Sequence, residues 1–157
     1  MSKILITGGA GFIGYFLIKS LLKQNNQIVI LDSLYRGRAD DEFNEILKNK
    51  NVTFRQVDLT DNNLFKSLET DFDYIYHLAA IIGVKNVVEN PDRVLHDNAI
   101  LTLNLIEFAR NMNSLKKILF SSTSEIYAGT LKHFGIDIPT NENVKLTIDD
   151  IKSPRTT

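Results

Sequence analysis

The chain has no cysteine and no tryptophan, and it has only three histidines and three prolines. Without cysteine there is no disulfide framework, no thiolate zinc site, no iron–sulfur cluster and no cysteine nucleophile. Three scattered histidines leave little from which to build a metal cage, so no metal site is expected. Charge of one sign is also missing: 18 basic residues face 19 acidic ones, for a net charge of −1. That balance offers no general electrostatic attraction to nucleic acid or to an anionic membrane surface. No apolar run approaches the ~20 residues of a membrane span. Met1-Ser2-Lys3 leads straight into an apolar strand without the layout of a signal peptide, so the expected compartment is the reducing cytoplasm. Low-complexity tracts, internal repeats and Pro/Gly-rich linkers are missing as well. What remains is a chain of 157 residues, 43% apolar and 24% charged, the size and composition of one ordinary domain with a buried core.

Apolar runs of strand length alternate with longer segments of helical periodicity. Strands are predicted at 3–7, 27–31, 52–57, 73–77 and 117–121, and helices at 12–23, 40–49, 62–68 and 91–112. Strand runs that are nearly all apolar, each followed by a helix, predict an α/β fold with a doubly wound parallel sheet covered on both faces. Asn90-Pro91 opens the longest helix with a capping residue and a proline at the first helical position. Leu95, Ala99, Leu103, Ile106 and Ala109 form one apolar stripe along it, and Val94, Leu101, Leu105, Phe108 and Met112 a second. Together they span roughly 220°, more than one sheet covers, so a second neighbour is expected. In isolation the chain is expected to expose Val94, Leu101, Leu105 or Phe108 and to associate. His96, Asn104, Glu107 and Asn111 fall on the polar side, whereas Asn98 falls inside the apolar arc. A buried amide there needs partners, so the plainer reading of Asn98 is a satisfied structural residue.

Thr7-Gly8-Gly9-Ala10-Gly11-Phe12-Ile13-Gly14 joins the first strand to the first helix. Its glycines fit Gly-x-Gly-x-x-Gly through Gly9, Gly11 and Gly14, and Gly-x-x-Gly-x-x-Gly through Gly8, Gly11 and Gly14. In the strand–turn–helix setting this is a dinucleotide fingerprint. Glycine permits a tight turn with positive φ and lets the backbone approach a pyrophosphate, while the N-terminal N–H groups and the helix dipole favour the anion. Asp32 ends the second strand 18 positions after Gly14. A carboxylate there accepts hydrogen bonds from the adenosine ribose and repels a 2′-phosphate, which argues for NAD over NADP. Arg36 and Arg38 follow closely and soften that preference.

With these pieces go Asp58-Leu59 after the third strand, His77-Leu78-Ala79-Ala80 after the fourth, Asn98 in the long helix and Ser121-Ser122-Thr123-Ser124-Glu125-Ile126-Tyr127 after the fifth. In that order they resemble the N-terminal half of the extended short-chain dehydrogenase/reductases, the NAD-dependent epimerase/dehydratase group that acts on nucleotide sugars. The resemblance implies an NAD-binding Rossmann fold with a pyrophosphate held by the glycine turn together with Phe12 and Ile13. It further implies adenine contacts from Asp58 and Leu59, a nicotinamide-ribose path lined by Leu78, Ala79 and Ala80, and an organising role for Asn98. Thr123 takes the position whose hydroxyl meets the sugar beside the hydride-transfer carbon. Glu125 is similar to the acid/base group of dehydratase and decarboxylase members. The plainer reading is that Thr123 caps a turn and Glu125 is a solvated loop acid. Tyr127 has a family counterpart that does no chemistry. Tyr127-Ala128-Gly129 also departs from the family's Tyr-Gly, which alters the loop.

The family's Tyr-x-x-x-Lys motif is missing from its place after the fifth strand: Tyr35, Tyr74, Tyr76 and Tyr127 lack a lysine four residues later, and Tyr15 with Lys19 has that spacing only inside the first predicted helix. Ser153-Pro154-Arg155-Thr156-Thr157 resembles the segment that precedes that tyrosine. The expectation is therefore a single Rossmann domain over 1–157, incomplete on its C-terminal side, from a protein about twice as long. The chain by itself is expected to be inactive, because a missing acid/base group forfeits about 10²–10⁴-fold. The resemblance implies a nucleotide-sugar substrate and a homodimer formed through a helix bundle. It leaves open an epimerase, a UDP-glucuronate-decarboxylase-like or GDP-mannose-dehydratase-like enzyme, and a non-catalytic dinucleotide-binding sensor.

Overall fold

Five short apolar runs become strands: β1 (Lys3–Thr7), β2 (Gln27–Asp32), β3 (Val52–Gln56), β4 (Tyr74–His77) and β5 (Lys117–Phe120). All neighbours are parallel, in the order β3-β2-β1-β4-β5. The structure is a computed structural model and describes residues 1–150 and 152. The predicted segment 153–157 lies outside the described residues. Helices α1 (Phe12–Leu22), α2 (Asp41–Leu47), α3 (Val84–Glu89), α4 (Pro91–Ala109) and α5 (Ala128–Phe134) connect or follow the strands, with 3₁₀ turns at Asn62–Ser67 and Ser124–Tyr127. Contacts gather the chain into two units, Met1–Ile81 with Leu95–Ser121, and Ile82–Val94 with the described residues from Ser122 onward.

The pleat of the first unit sorts side chains to two cores. Leu5, Val29, Leu31 and Ile75 point to one face and pack with Leu101, Leu105 and Phe108 of α4. Ile4, Ile6, Ile28 and Ile30 point to the other and pack with Ile18 and Leu21 of α1 and Phe43 and Ile46 of α2. Central strands buried on both faces cannot alternate apolar with polar, which is why these runs are almost continuously aliphatic. Each fully buried Leu or Ile side chain contributes about 1.5–3 kcal/mol. β5, at the sheet's edge, has Ile118, Leu119 and Phe120 exposed.

Helix α4 corrects the angular plot twice. Leu101, Leu105 and Phe108, expected on the unpartnered side, are buried against the sheet, while Leu95, Leu103 and Ile106 are the exposed stripe. Asn104, assigned to the polar side, is buried because the turn after β3 lies against it. Two further differences concern short elements: α3 and α5 have no helical-length apolar pattern in the sequence, and the predicted helix at 62–68 is a 3₁₀ turn capped by the Asp61 side chain on Asn63 N–H. Among the described residues, no helix is long and apolar enough to cross a membrane.

In the second unit, α5 is held by the later chain. The Thr130 hydroxyl donates to Lys145 O at 2.7 Å and accepts the Thr147 N–H at 3.1 Å. A Cβ at Gly129 would collide with the Thr147 carbonyl, so only glycine allows this approach. Asp149 pairs with Lys132 at 2.7 Å, and the Lys132 ammonium, followed by His133, holds its carboxyl below the ordinary value.

Candidate functional site

Strands β1, β2 and β4 finish level with one another, since Thr7 stands opposite Leu31 and His77. The glycine turn leaves from this common edge. Gly8 has φ +73°, and its N–H donates to Leu31 O at 2.8 Å. A Cβ on Gly8 would lie 2.6 Å from the Ala79 backbone nitrogen, so the turn presses directly on the chain leaving β4. At Gly14 a Cβ would meet Gly9 Cα at 2.6 Å, which makes that glycine the packing contact between turn and helix. Gly11 differs from both. Among the described residues, its two chain neighbours apart, only Gly8 O, at 3.3 Å, lies within 4 Å of a Cβ there, so its outer side is open for a ligand to approach the backbone.

Gly11 is also the N-cap of α1, with no side chain to satisfy the first-turn N–H groups. Those donors and the positive helix end remain directed outward. Phe12 and Ile13, in that first turn, are 80% and 66% exposed. An open glycine face over an uncapped helix start is the arrangement a diphosphate requires.

Asp32 is turned toward this turn and is only 9% exposed. One carboxylate oxygen accepts the Ala10 N–H at 3.0 Å and the other the Leu34 N–H at 2.8 Å. Each oxygen retains a second lone pair. Leu34 has φ +59°, a left-handed conformation costing a leucine about 1–2 kcal/mol, which the bond to Asp32 offsets. Gly37, not singled out in the sequence, brings the loop after β2 against the glycine turn. A Cβ there would lie 2.8 Å from the Ala10 Cβ.

Behind Thr7 runs a chain of neutral hydrogen bonds centred on His77, a residue with no role in the sequence reading beyond its place in His77-Leu78-Ala79-Ala80. Ala79 N–H donates to Thr7 Oγ1 at 3.3 Å, and Thr7 Oγ1 meets His77 Nδ1 at 2.7 Å. His77 Nε2 meets Thr102 Oγ1 at 3.3 Å, and that hydroxyl donates to Asn98 O at 2.8 Å. Because the Thr102 proton is committed to Asn98 O, Nε2 carries the proton and Nδ1 accepts from Thr7. Burial pushes the imidazole down from 6.5 to about 4, so His77 is neutral near pH 7. The legible signal was a histidine and a threonine ending adjacent apolar strands.

The other predicted residues are distributed as follows. Asp58 is exposed and forms its own turn, while Leu59 is buried with its side chain in the core. Leu78 and Ala79 are half-buried and Ala80 is exposed. Asn98 holds both backbone groups of Ile81, accepting its N–H at 2.7 Å and donating to its carbonyl at 3.0 Å. This is the satisfied structural amide, and it also fixes the loop after β4. Thr123 and Glu125 belong to the second unit, where Thr123 Oγ1 accepts the Glu125 N–H at 3.3 Å and caps the 3₁₀ turn. Both are exposed. The contacts of the first unit thus bring the glycine turn, Asp32, Ala79 and Asn98 into one connected edge.

The profile of the NAD dependent epimerase/dehydratase family matches residues 4–149. Over 135 residues the chain is 35% identical to the UDP-N-acetyl-alpha-D-glucosaminuronate decarboxylase of Bacillus cytotoxicus, covering 86% of this chain and 40% of that protein. The UDP-Glc/GlcNAc 4-epimerase from Campylobacter jejuni superposes with a TM-score of 0.74 at 35% identity, over 82% of this chain and 39% of that one. The Bordetella bronchiseptica enzyme WbmF, crystallised in complex with NAD+, superposes with a TM-score of 0.69 at 30% identity, over 79% and 37%. The chain therefore spans about two-fifths of the length of the relatives it matches.

Proposed function

This chain belongs to the NAD dependent epimerase/dehydratase family, and we propose that it is the cofactor-binding part of an enzyme that modifies a nucleotide sugar through a transient keto-sugar. The observation that carries this reading is the pairing of an open Gly11 face with an Asp32 carboxylate hydrogen-bonded to the same turn. Gly8, Gly11 and Gly14, with the N–H groups of Phe12 and Ile13, hold the diphosphate. Asp32 accepts the adenosine ribose hydroxyls, and the Asp58–Leu59 turn borders the adenine. Leu78, Ala79 and Ala80 leave a path without bulk for the second ribose, and Asn98 keeps that path in place through Ile81. When bound, NAD supplies a hydride acceptor.

In the second unit, Thr123 presents its hydroxyl to the sugar, and Glu125 is an acid/base group for removing a proton α to a keto carbon. Both a decarboxylase and a 4-epimerase stand among the relatives, and Glu125 favours chemistry beyond plain epimerisation. The whole enzyme acts in the cytoplasm as a homodimer. Support for the dimer is the exposed stripe of Leu95, Leu103 and Ile106, with Leu95 61% and Leu103 59% exposed.

Titration of the protein with NAD+ and NADP+ tests the cofactor assignment. NAD+ should bind more tightly, and Asp32→Ala should weaken it by about 1.5–3 kcal/mol, or roughly ten- to a hundredfold. Equal affinity for the two dinucleotides overturns the NAD preference. No binding of either overturns the assignment itself.

A further inference from the structure

The turn after β3 is shaped by one residue and anchored by another. Asp58 Oδ1 accepts the Thr60 N–H at 2.9 Å and the Thr60 hydroxyl at 2.8 Å, and Asp61 N–H closes onto Asp58 O at 3.2 Å. These bonds are internal, and the Leu59 side chain roots the turn in the core. The polar attachment comes from α4, where Asn104 Nδ2 donates to Leu59 O at 2.9 Å and to Thr60 O at 3.1 Å. Asn104 is 9% exposed, and the Leu59 side chain beside it is 5% exposed. A side-chain amide nitrogen carries two N–H donors without a charge, which suits a grip on two successive carbonyls in a place where an ammonium would be expensive to bury.

The same helix carries the same device a second time. Asn98, six residues earlier, grips Ile81 in the loop after β4. One helix therefore sets the position of the loops following both β3 and β4, each through a single amide. In the functional reading above, those loops border opposite ends of the dinucleotide. Nothing in the chemistry of a core amide requires it to hold an exposed turn. The turn's exposed carboxylate, Asp58, is what gains a defined position from the grip.

We propose that Asn104 is a positioning residue for the adenine end of the dinucleotide groove: by gripping Leu59 O and Thr60 O it holds the Asp58 turn at the depth at which it meets the base. The inference rests on the reading of the first unit as a dinucleotide-binding unit. It has a consequence that a purely structural role lacks, because the effect of Asn104 must fall on one half of the ligand. Adenosine monophosphate probes the adenine half and nicotinamide mononucleotide the other.

The test is calorimetric titration of the protein and its Asn104→Leu variant with NAD+, adenosine monophosphate and nicotinamide mononucleotide. Leucine keeps the volume and removes the donors. Affinity for adenosine monophosphate and NAD+ should fall about tenfold, with nicotinamide mononucleotide unaffected. Equal losses for both half-ligands, or none, overturn the proposal. Should the variant fail to fold, the unmodified ¹⁵N-labelled protein decides. Adenosine monophosphate should shift the Asn104 side-chain amide and the Thr60 and Asp61 backbone signals, which nicotinamide mononucleotide should leave in place. Adenosine monophosphate binding without those shifts overturns the proposal. If the unmodified protein binds neither NAD+ nor adenosine monophosphate, the functional reading fails and this inference falls with it. If it binds both while N104L binds adenosine monophosphate undiminished, this inference alone fails.

Discussion

Where β1 and β5 begin, Lys3 reaches Asp71 at 2.6 Å and Lys116 reaches Asp73 at 2.8 Å, and Asp73 also accepts the Lys3 N–H at 2.9 Å. Where β1 and β4 end, Thr7, His77, Thr102 and Asn98 are joined by uncharged groups, with Thr7 and His77 buried and Thr102 and Asn98 half-buried. The starting edge of the sheet is tied by exposed ion pairs and the finishing edge by buried and half-buried neutral hydrogen bonds. Exposed pairs are individually weak and screened by salt, so they suit an edge that only has to stay closed. The neutral donors and acceptors hold their geometry because an unmade bond away from water costs about 1–3 kcal/mol.

The largest effect should come from the finishing edge. Gly8→Ala places a Cβ 2.6 Å from the Ala79 nitrogen at a backbone φ of +73°. Left-handed strain and overpacking together should cost about 4 kcal/mol, read as a lowered urea midpoint at neutral pH. A variant as stable as the parent would mean that the turn does not press on the β4 exit.

Acid should separate the two edges next. His77 ordinarily titrates at 6.5 and in the fold at about 4. Between those values the unfolded chain holds a proton that the folded chain refuses, so stability falls as pH drops through the window, by about 3 kcal/mol in all. Asp71 and Asp73 act with the same sign but later in pH. Lys3 and Lys116 respectively are the chief causes holding their carboxyls below 3.8. The stability they contribute is intact above that value and is lost as pH falls through their lowered folded values. Urea midpoints measured from pH 7 to pH 3 should therefore decline first through the histidine window, and a His77→Asn variant should be flat there. A parent midpoint that holds steady to pH 4 would remove the distinction.

The smallest effect belongs to the starting edge. Lys116→Ala should lower the urea midpoint slightly in dilute buffer, and 1 M salt should erase the difference. A loss that survives high salt would mean that Lys116 also acts through its contact with Tyr74, whose ring centre lies 5.8 Å from the ammonium nitrogen.

The sheet was legible because its strands are buried on both faces, and near-continuous aliphatic runs admit few other structures. The glycine turn and Asp32 were legible for a related reason, since only glycine tolerates the Ala79 approach at Gly8 and the Gly9 contact at Gly14. Periodicity failed on α4. Two apolar stripes lie side by side in the sequence, and it does not say which one meets the sheet. Asn104 was misread for the same reason, because a helix considered alone has no turn lying against it. His77 and Gly37 were overlooked because their partners, Thr7, Thr102 and Ala10, are remote in sequence.

Residue order alone determined the succession of strands and helices, the fingerprint at the first turn and the acid at the end of β2, because each depends on local backbone freedom or on short-range apolar pattern. Tertiary structure alone decided the roll of α4, the neutrality of His77 and the grip of Asn98 and Asn104 on two separate loops. Those features depend on which polar groups are brought together away from water, and that is settled only when the helix has docked on the sheet.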